Sequence, residues 1–132
     1  MIDSTRSRAV TRDIEVEVQS LFLPERSSER ESLYFFAYHV RIANLGEETA
    51  QLISREWLIT DGEGREQRVV GPGVVGEQPV LHPGTSFEYT SYCPLPTPIG
   101  SMQGAYHLQT SDGVDFAARI APFTLAVPTA VN

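Results

Sequence analysis

Residues 33 to 43 read Leu-Tyr-Phe-Phe-Ala-Tyr-His-Val-Arg-Ile-Ala, and large apolar side chains recur at every second position. The even-numbered positions are aromatic or branched, whereas His39 and Arg41 lie among the odd-numbered ones. A period of two is typical of a β-strand with one buried face. The segment therefore predicts a strand whose even-numbered residues face a core.

The same period recurs on both sides of this segment. Residues 14 to 19 alternate Ile or Val with Glu or Gln, and residues 49 to 60 are apolar on both faces, which predicts a central strand with Trp57 as its core anchor. Residues 61 to 64, Asp-Gly-Glu-Gly, indicate a hairpin turn. No window of ten residues shows a helical period. Seven or eight short strands separated by turns predict an all-β chain, folded as an antiparallel β-sandwich.

The length of 132 residues fits a single domain. Residues 1 to 12 are small, polar and basic, and we expect a flexible tail there; the sandwich is expected over residues 13 to 127, with a second tail over residues 128 to 132. No apolar run follows the arginines of the first tail, so neither a signal peptide nor a membrane anchor is expected. A single cysteine, Cys93, excludes an intrachain disulfide and favours a reducing cytoplasm.

The formal net charge of −7 disfavours nucleic acids and anionic membranes as partners, because both require a basic surface. All ten basic residues other than histidine are arginines, so any local contact to a phosphate or carboxylate would be a planar guanidinium fork.

The chain also carries a glycine-rich stretch, Gly71-Pro72-Gly73-Val74-Val75-Gly76, with the spacing GxGxxG. In a dinucleotide-binding fold this spacing opens a helix whose N-terminus holds pyrophosphate. Two β-branched valines inside the stretch and prolines just downstream leave no room for that helix. We therefore expect an inter-strand loop. An anion-binding nest of backbone amides stays open, and of the two nearest cations Arg68 is the better placed to serve it.

Catalytic and metal-binding residues are not predicted. The three histidines, His39, His82 and His107, lack the spacing of a metal site, and Cys93 has no helix N-terminus to lower its pKa. Asp61 and Asp112 each precede a glycine in a turn, which accounts for both of them. No nucleophile or cofactor site is indicated.

Surfaces and edges are the remaining functional features. Phe35 on the more polar face of its strand, together with the stiff proline loop of Pro94, Pro96 and Pro98, is predicted as a docking patch for another protein. The alternative for Phe35 is packing beneath the charged loop of residues 25 to 31. An edge-strand homodimer stays open.

Long ordered blocks of the sequence resemble the ApaG family. They are Gly71-Pro72-Gly73-Val74-Val75-Gly76-Glu77-Gln78-Pro79-Val80-Leu81, Pro83-Gly84, Phe87-Glu88-Tyr89-Thr90-Ser91, Cys93-Pro94-Leu95-Pro96-Thr97-Pro98 and Gly100-Ser101-Met102-Gln103-Gly104, with Phe36-Ala37-Tyr38, Asn44-Leu45-Gly46 and residues 54 to 61 upstream. Glu56 stands where a histidine is common in that family. The likeness covers about residues 14 to 126.

The resemblance implies an immunoglobulin-like, fibronectin type III-like sandwich and no established catalytic residues. Bacterial members are typically encoded near a diadenosine tetraphosphate hydrolase and have been linked to cobalt and magnesium resistance, and related eukaryotic domains imply a protein-interaction role. A pyrophosphate contact suggested for the family would fall on Gly71, Gly73 and Gly76. The leading hypothesis is a non-catalytic, cytoplasmic protein-binding domain. The alternative is a sensor for a nucleoside polyphosphate or its magnesium or cobalt complex, linked to divalent-cation homeostasis.

Overall fold

A computed structural model describes residues 4–130, and these residues form nine β-strands and two short 3-10 turns. The strands are β1 (Arg6–Thr11), β2 (Ile14–Phe22), β3 (Tyr34–Asn44), β4 (Ala50–Asp61), β5 (Glu66–Pro72), β6 (Val80–Leu81), β7 (Ser86–Leu95), β8 (Ile99–Thr110) and β9 (Asp115–Ala126). The 3-10 turns span Pro24–Arg26 and Pro128–Ala130.

The strands form two antiparallel sheets packed face to face. One sheet has the order β1-β2-β3-β7; the other has the order β5-β4-β8-β9, with β6 paired to the start of β4. The prediction of an all-β, immunoglobulin-like or fibronectin type III-like sandwich is confirmed. The strand count is nine in the described residues, because a two-residue strand and an N-terminal strand add to those expected.

The core lies between the sheets and follows the predicted alternation in β3. Phe36, Val40 and Ile42 are fully buried, and Trp57 of β4 is 2% exposed. Tyr38 and Phe123 pack against the indole ring, with ring centroids 5.2 Å and 6.0 Å from it. Trp57 is therefore the core anchor that the sequence predicts.

Strand β4 changes its facing direction part of the way along. Leu52 is fully buried and Trp57 is buried as well, although their positions differ in parity and a regular strand would place them on opposite faces. A β-bulge between Leu52 and Ser54 inserts one extra residue and switches the parity of the strand. The bulge therefore turns Arg55 towards the same face as Trp57.

The expectation of a flexible tail over residues 1 to 12 is wrong for Arg6–Thr11, which forms β1 and pairs along its whole length with β2. Small side chains at Ser7 and Ala9 face inwards and arginines face outwards, so the strand lacks the apolar signal that marks its neighbours. Residues 1 to 3, 131 and 132 of the two expected tails lie outside the described residues. The sandwich thus begins before residue 13.

Contacts between β1 and β9 join the two sheets on one side. The amide of Thr124 donates to the Ser4 carbonyl at 2.7 Å, and the amide of Arg119 donates to Thr11 Oγ1 at 3.1 Å. On the opposite side, β7 ends one sheet and β5 ends the other within residues 4–130. These two open edges flank the surfaces considered next.

Candidate functional site

The glycine stretch forms a tight hairpin turn within the loop that joins β5 to β6, and the turn is closed by Val74 and Glu77. Val74 and Glu77 exchange two backbone hydrogen bonds of 2.8 Å and 2.9 Å, and the amide of Gly73 donates to the Ile53 carbonyl at 2.8 Å. Gly76 has φ +82°, as the second turn position of such a hairpin requires. The predicted inter-strand loop is confirmed, and three of its amides are already engaged within the chain.

Two adjacent valines of this hairpin have opposite environments. Val74 is fully buried and extends the core, whereas Val75 is 55% exposed and has φ 42°. A β-branched residue with positive φ is strained. The hairpin is therefore held down by Val74 and carries an unfavourable backbone at its tip.

The arginine at this hairpin is Arg55, not the predicted Arg68. Arg55 Nη1 donates to the carbonyls of Pro72 at 2.8 Å and Gly73 at 3.0 Å. Arg68 Nη1 lies 3.4 Å from Glu56 Oε1 on the outer face of the sheet. Sequence reasoning missed Arg55 because the bulge that turns it inwards has no local signature.

Residues for metal binding are not clustered. Within residues 4–130, no three His, Cys, Asp or Glu side chains are arranged to hold a metal ion. His39 and His107 lie on strands of different sheets, and His82 is exposed in the turn after β6.

Burial favours the neutral form of one thiol and three phenols in the core. Burial raises the pKa of Cys93 to about 11, and burial also raises the pKa of Tyr38, of Tyr89 and of Tyr106. The hydroxyls of Tyr89 and Tyr106 hydrogen-bond to each other inside the core. These groups serve packing, and none of them presents a reactive atom to solvent.

An exposed apolar patch lies on the outer face of the β1-β2-β3-β7 sheet. We call it the aromatic patch, and it consists of Leu21, Arg26, Phe35, Tyr92 and Pro94. Leu21 is 63% exposed and Tyr92 is 51% exposed. Phe35 and Pro94 are direct register partners, so the structure brings together two of the predicted docking residues. Leu21 and Tyr92 flank Ala37 on its two sides and add apolar surface to the patch, and neither residue was among the predicted docking residues.

The rings of the patch stack under one arginine. The Phe35 and Tyr92 centroids are 6.2 Å apart, and the Arg26 guanidinium carbon lies 4.1 Å from the Phe35 centroid and 5.1 Å from that of Tyr92. The alternative prediction, that Phe35 packs beneath the loop of residues 25 to 31, therefore holds in part, because the Arg26 side chain of that loop covers the Phe35 ring. Leu21 and Tyr92 stay open to solvent beside it.

A 3-10 turn sets the position of Arg26. Pro24 begins the turn, and the hydroxyl of Ser27 donates to the Leu23 carbonyl at 2.7 Å while accepting the amide of Phe35 at 2.9 Å. These bonds tie the turn to β3. The guanidinium is therefore held over the rings by backbone geometry as well as by its attraction to their π-faces.

The two other predicted docking prolines follow in the loop between β7 and β8. Pro96 and Pro98 are exposed, but this loop is tied to other elements. Thr97 Oγ1 accepts the amide of Gly62 at 2.8 Å, and the Pro98 carbonyl accepts the amide of Val127 at 2.9 Å. The structure therefore places Pro94 in the aromatic patch and the other two prolines at the end of the sandwich.

The remainder of the same face is charged and satisfied within the chain. Arg8 Nε lies 2.6 Å from Glu15, Arg41 lies 3.2 Å from the same carboxylate, and His39 Nε2 lies 2.8 Å from Glu88. Arg26, in contrast, makes no ion pair among residues 4–130. The outer face thus divides into a self-paired charged half and an apolar half with one unpaired cation.

One end of the sandwich is acidic. Asp13, Glu47, Glu48 and Asp112 lie around the turns there. A hydrogen bond to Asp112, together with the charge of that carboxylate, raises the pKa of Glu48. Two carboxylates this close repel each other when both are ionised.

Comparisons with known proteins agree with this fold. A family model described as the ApaG domain matches residues 24–110. The chain is 56% identical over 126 residues to Protein ApaG of Anaeromyxobacter dehalogenans strain 2CP-1, and the alignment covers 96% of this chain and 99% of that protein. It is 52% identical over 130 residues to Protein ApaG of Bordetella pertussis, and that alignment covers 98% of this chain and 99% of the relative.

A solved structure is similar as well. The crystal structure described as that of an ApaA protein from Bordetella pertussis superposes with a TM-score of 0.86 at 55% identity, covering 88% of this chain and 94% of that one. None of the helices within residues 4–130 is long and apolar enough to span a membrane.

Proposed function

We propose, from the premise that the chain belongs to the ApaG domain family, that it is a non-catalytic domain that binds another protein through the aromatic patch. The observation that carries the proposal is an exposed tyrosine, Tyr92, beside the half-buried Phe35, with both rings under an arginine that has no ion pair within residues 4–130. Tyr and Arg are enriched among the residues that dominate binding energy in protein interfaces.

The patch has the composition of an interface and the rest of its face does not. Leu21 and Tyr92 expose more than half of their surface without contributing to the core. A water-exposed apolar cluster rimmed by charged residues is typical of a docking site. The charged half of the face, being self-paired, would form the rim.

The proposal is also compatible with the other titratable side chains of the described residues. The buried tyrosines and Cys93 are neutral and enclosed, and metal-ligating side chains are dispersed over two sheets. A binding role needs neither a nucleophile nor a metal. Action in the cytoplasm remains part of this proposal.

The alternative proposal, a pyrophosphate contact at Gly71, Gly73 and Gly76 with Arg68, has less geometric support. Three hairpin amides and two carbonyls are used within the chain, and Arg68 lies beside Glu56. Calorimetric titration with ATP and diadenosine tetraphosphate, with and without Mg²⁺ or Co²⁺, is therefore expected to give no heat of binding. Saturable heat lost in Gly73→Val would support the sensor instead.

The binding role is tested with two matched surface variants. Tyr92→Lys places a charge in the aromatic patch, and Gln103→Lys places the same charge on an exposed position of β8, on the other sheet. Each tagged protein is used to capture partners from cells that encode it, with quantification by mass spectrometry. A protein retained by wild type and Gln103→Lys but reduced at least tenfold by Tyr92→Lys is expected. If both variants retain every captured protein equally, the patch is not the binding surface.

A further inference from the structure

Strand β7 borders the aromatic patch and has an open edge. It pairs with β3 from Tyr34↔Leu95 to Ala43↔Ser86, and no second strand of residues 4–130 pairs with it. An open edge presents unpaired amides and carbonyls to any extended segment that approaches it.

The orientation of the β7 backbone follows from Pro94 and Thr85. Proline has no amide hydrogen, so Pro94 fits the β3–β7 ladder only at a position whose amide faces away from β3. At the other end, the amide of Asn44 donates to the Thr85 carbonyl at 2.9 Å, which places odd-numbered residues on the β3 side. The amides of Glu88, Thr90 and Tyr92 therefore face the open edge.

Pro94 also limits where pairing could occur. A segment added to β7 can accept hydrogen bonds from the amides of Glu88, Thr90 and Tyr92, but Pro94 offers none. Its side chains on the outer face would lie next to those of Tyr92 and Thr90, at the spacing of cross-strand neighbours.

The charge at this position selects the chemistry of the partner. The Arg26 guanidinium covers the Tyr92 ring at 5.1 Å and makes no ion pair within the described chain. A stacked guanidinium keeps its planar fork of donors available for a carboxylate. Glu88 lies on the same face of β7, four residues before Tyr92, and already contacts His39. It would repel an acidic side chain of the partner at that end of the strand.

We propose that the partner binds as an extended peptide segment that adds a strand to β7 between Glu88 and Tyr92, with an Asp or Glu side chain placed on Arg26. This inference rests on the proposed protein-binding role and names the partner chemistry for it. Backbone bonds supply register, and the carboxylate beside Tyr92 supplies selectivity. β-branched or aromatic residues at alternate positions of the peptide complete the contact with Tyr92, its cross-strand neighbour.

The test uses a random octapeptide library displayed on phage, selected on the full-length protein. Enriched sequences are synthesised with a fluorophore, and their dissociation constants are measured by anisotropy. We expect alternating β-branched residues with one acidic residue. Arg26→Glu is expected to weaken binding at least tenfold, whereas Arg30→Glu, an equal charge change in the same loop, stays within twofold.

The edge itself is tested at position 90. Thr90→Pro removes one edge-facing amide and is expected to weaken binding at least tenfold, whereas Thr90→Ala, which removes the same side chain and keeps the amide, stays within threefold. If circular dichroism shows that Thr90→Pro does not fold, two N-methylated forms of each peptide are measured on the wild type. One form is methylated at the odd-numbered amides of the peptide and the other at the even-numbered amides. The form whose methyl groups face β7 is expected to lose binding.

Several outcomes overturn strand addition. They are the enrichment of no sequence above the bare support, the enrichment of basic peptides, and equal binding to Thr90→Pro and Thr90→Ala. If Tyr92→Lys loses its captured protein while Thr90→Pro keeps it, the protein-binding role stands and strand addition is wrong. If Tyr92→Lys retains every captured protein, the proposed function fails first.

Discussion

Replacing Gly73 by alanine is expected to damage the hairpin far more than the same change at Gly76. Both glycines have positive φ, +56° and +82°, so each alanine carries the cost of a left-handed backbone, about 1–2 kcal/mol. A Cβ at Gly76 meets no atom within 4 Å, whereas a Cβ at Gly73 would lie 2.1 Å from the Glu77 carbonyl oxygen. Only the alanine at position 73 therefore forces the loop to move.

The additional cost follows from what that movement disrupts. The Glu77 carbonyl accepts the amide of Val74 at 2.8 Å, and loss of such a bond costs about 1 kcal/mol. Val74 is fully buried, and drawing its side chain partly out of the core costs up to about 1.5–3 kcal/mol. Gly73→Ala should therefore destabilise the protein by about 2–4 kcal/mol more than Gly76→Ala.

Urea unfolding measures this difference directly. Trp57 is the single tryptophan and is buried, so its fluorescence reports the unfolding of the core. Equal denaturation midpoints for Gly73→Ala and Gly76→Ala, or a larger loss in the second, would show that the hairpin is not anchored through Val74.

Three further predictions concern other sites. Because burial raises the pKa of Cys93 to about 11, a thiol reagent at pH 8 should react with the folded protein far more slowly than with the protein in urea, and equal rates would contradict that burial. The raised pKa of Glu48 gives a stability contribution that is present below the ordinary carboxyl pKa and lost as pH rises. Asp112→Asn should therefore raise the melting temperature more at pH 7 than at pH 4 in calorimetry, and a uniform change would argue against repulsion between the two carboxylates. Val75 has a positive φ, which asparagine tolerates better than a β-branched residue does. Val75→Asn should therefore raise the free energy of unfolding by about 1 kcal/mol in urea titration, and a loss of stability would refute the backbone strain at Val75.

The strands that alternate strongly could be predicted from the sequence. In β3 the even-numbered residues face the core because nothing interrupts the pleat. In β4 a bulge switches parity after Leu52, and the run of apolar residues on both faces carries no mark of it. In β1 the inward residues are small, because the strand packs at the margin of the core, and the segment therefore has the composition of a tail.

The candidate site could be predicted only in part, since it depends on the order of strands. Phe35 and Pro94 were identified from local features, but their pairing across β3 and β7 requires three intervening strands to join the other sheet. Tyr92 joins the patch through the same pairing. Arg26 lies over the rings because a 3-10 turn is tied to β3, a tertiary bond with no local pattern.

The most direct measurement of the central claim is site-specific photo-crosslinking in cells that encode the protein. A benzophenone amino acid replaces Tyr92 in one strain and Gln103 in another, and the products are compared after irradiation. Binding through the aromatic patch predicts a discrete protein adduct at position 92 that is lost in Arg26→Glu, with none at position 103. Adducts of equal yield at both positions, or only at position 103, would contradict it.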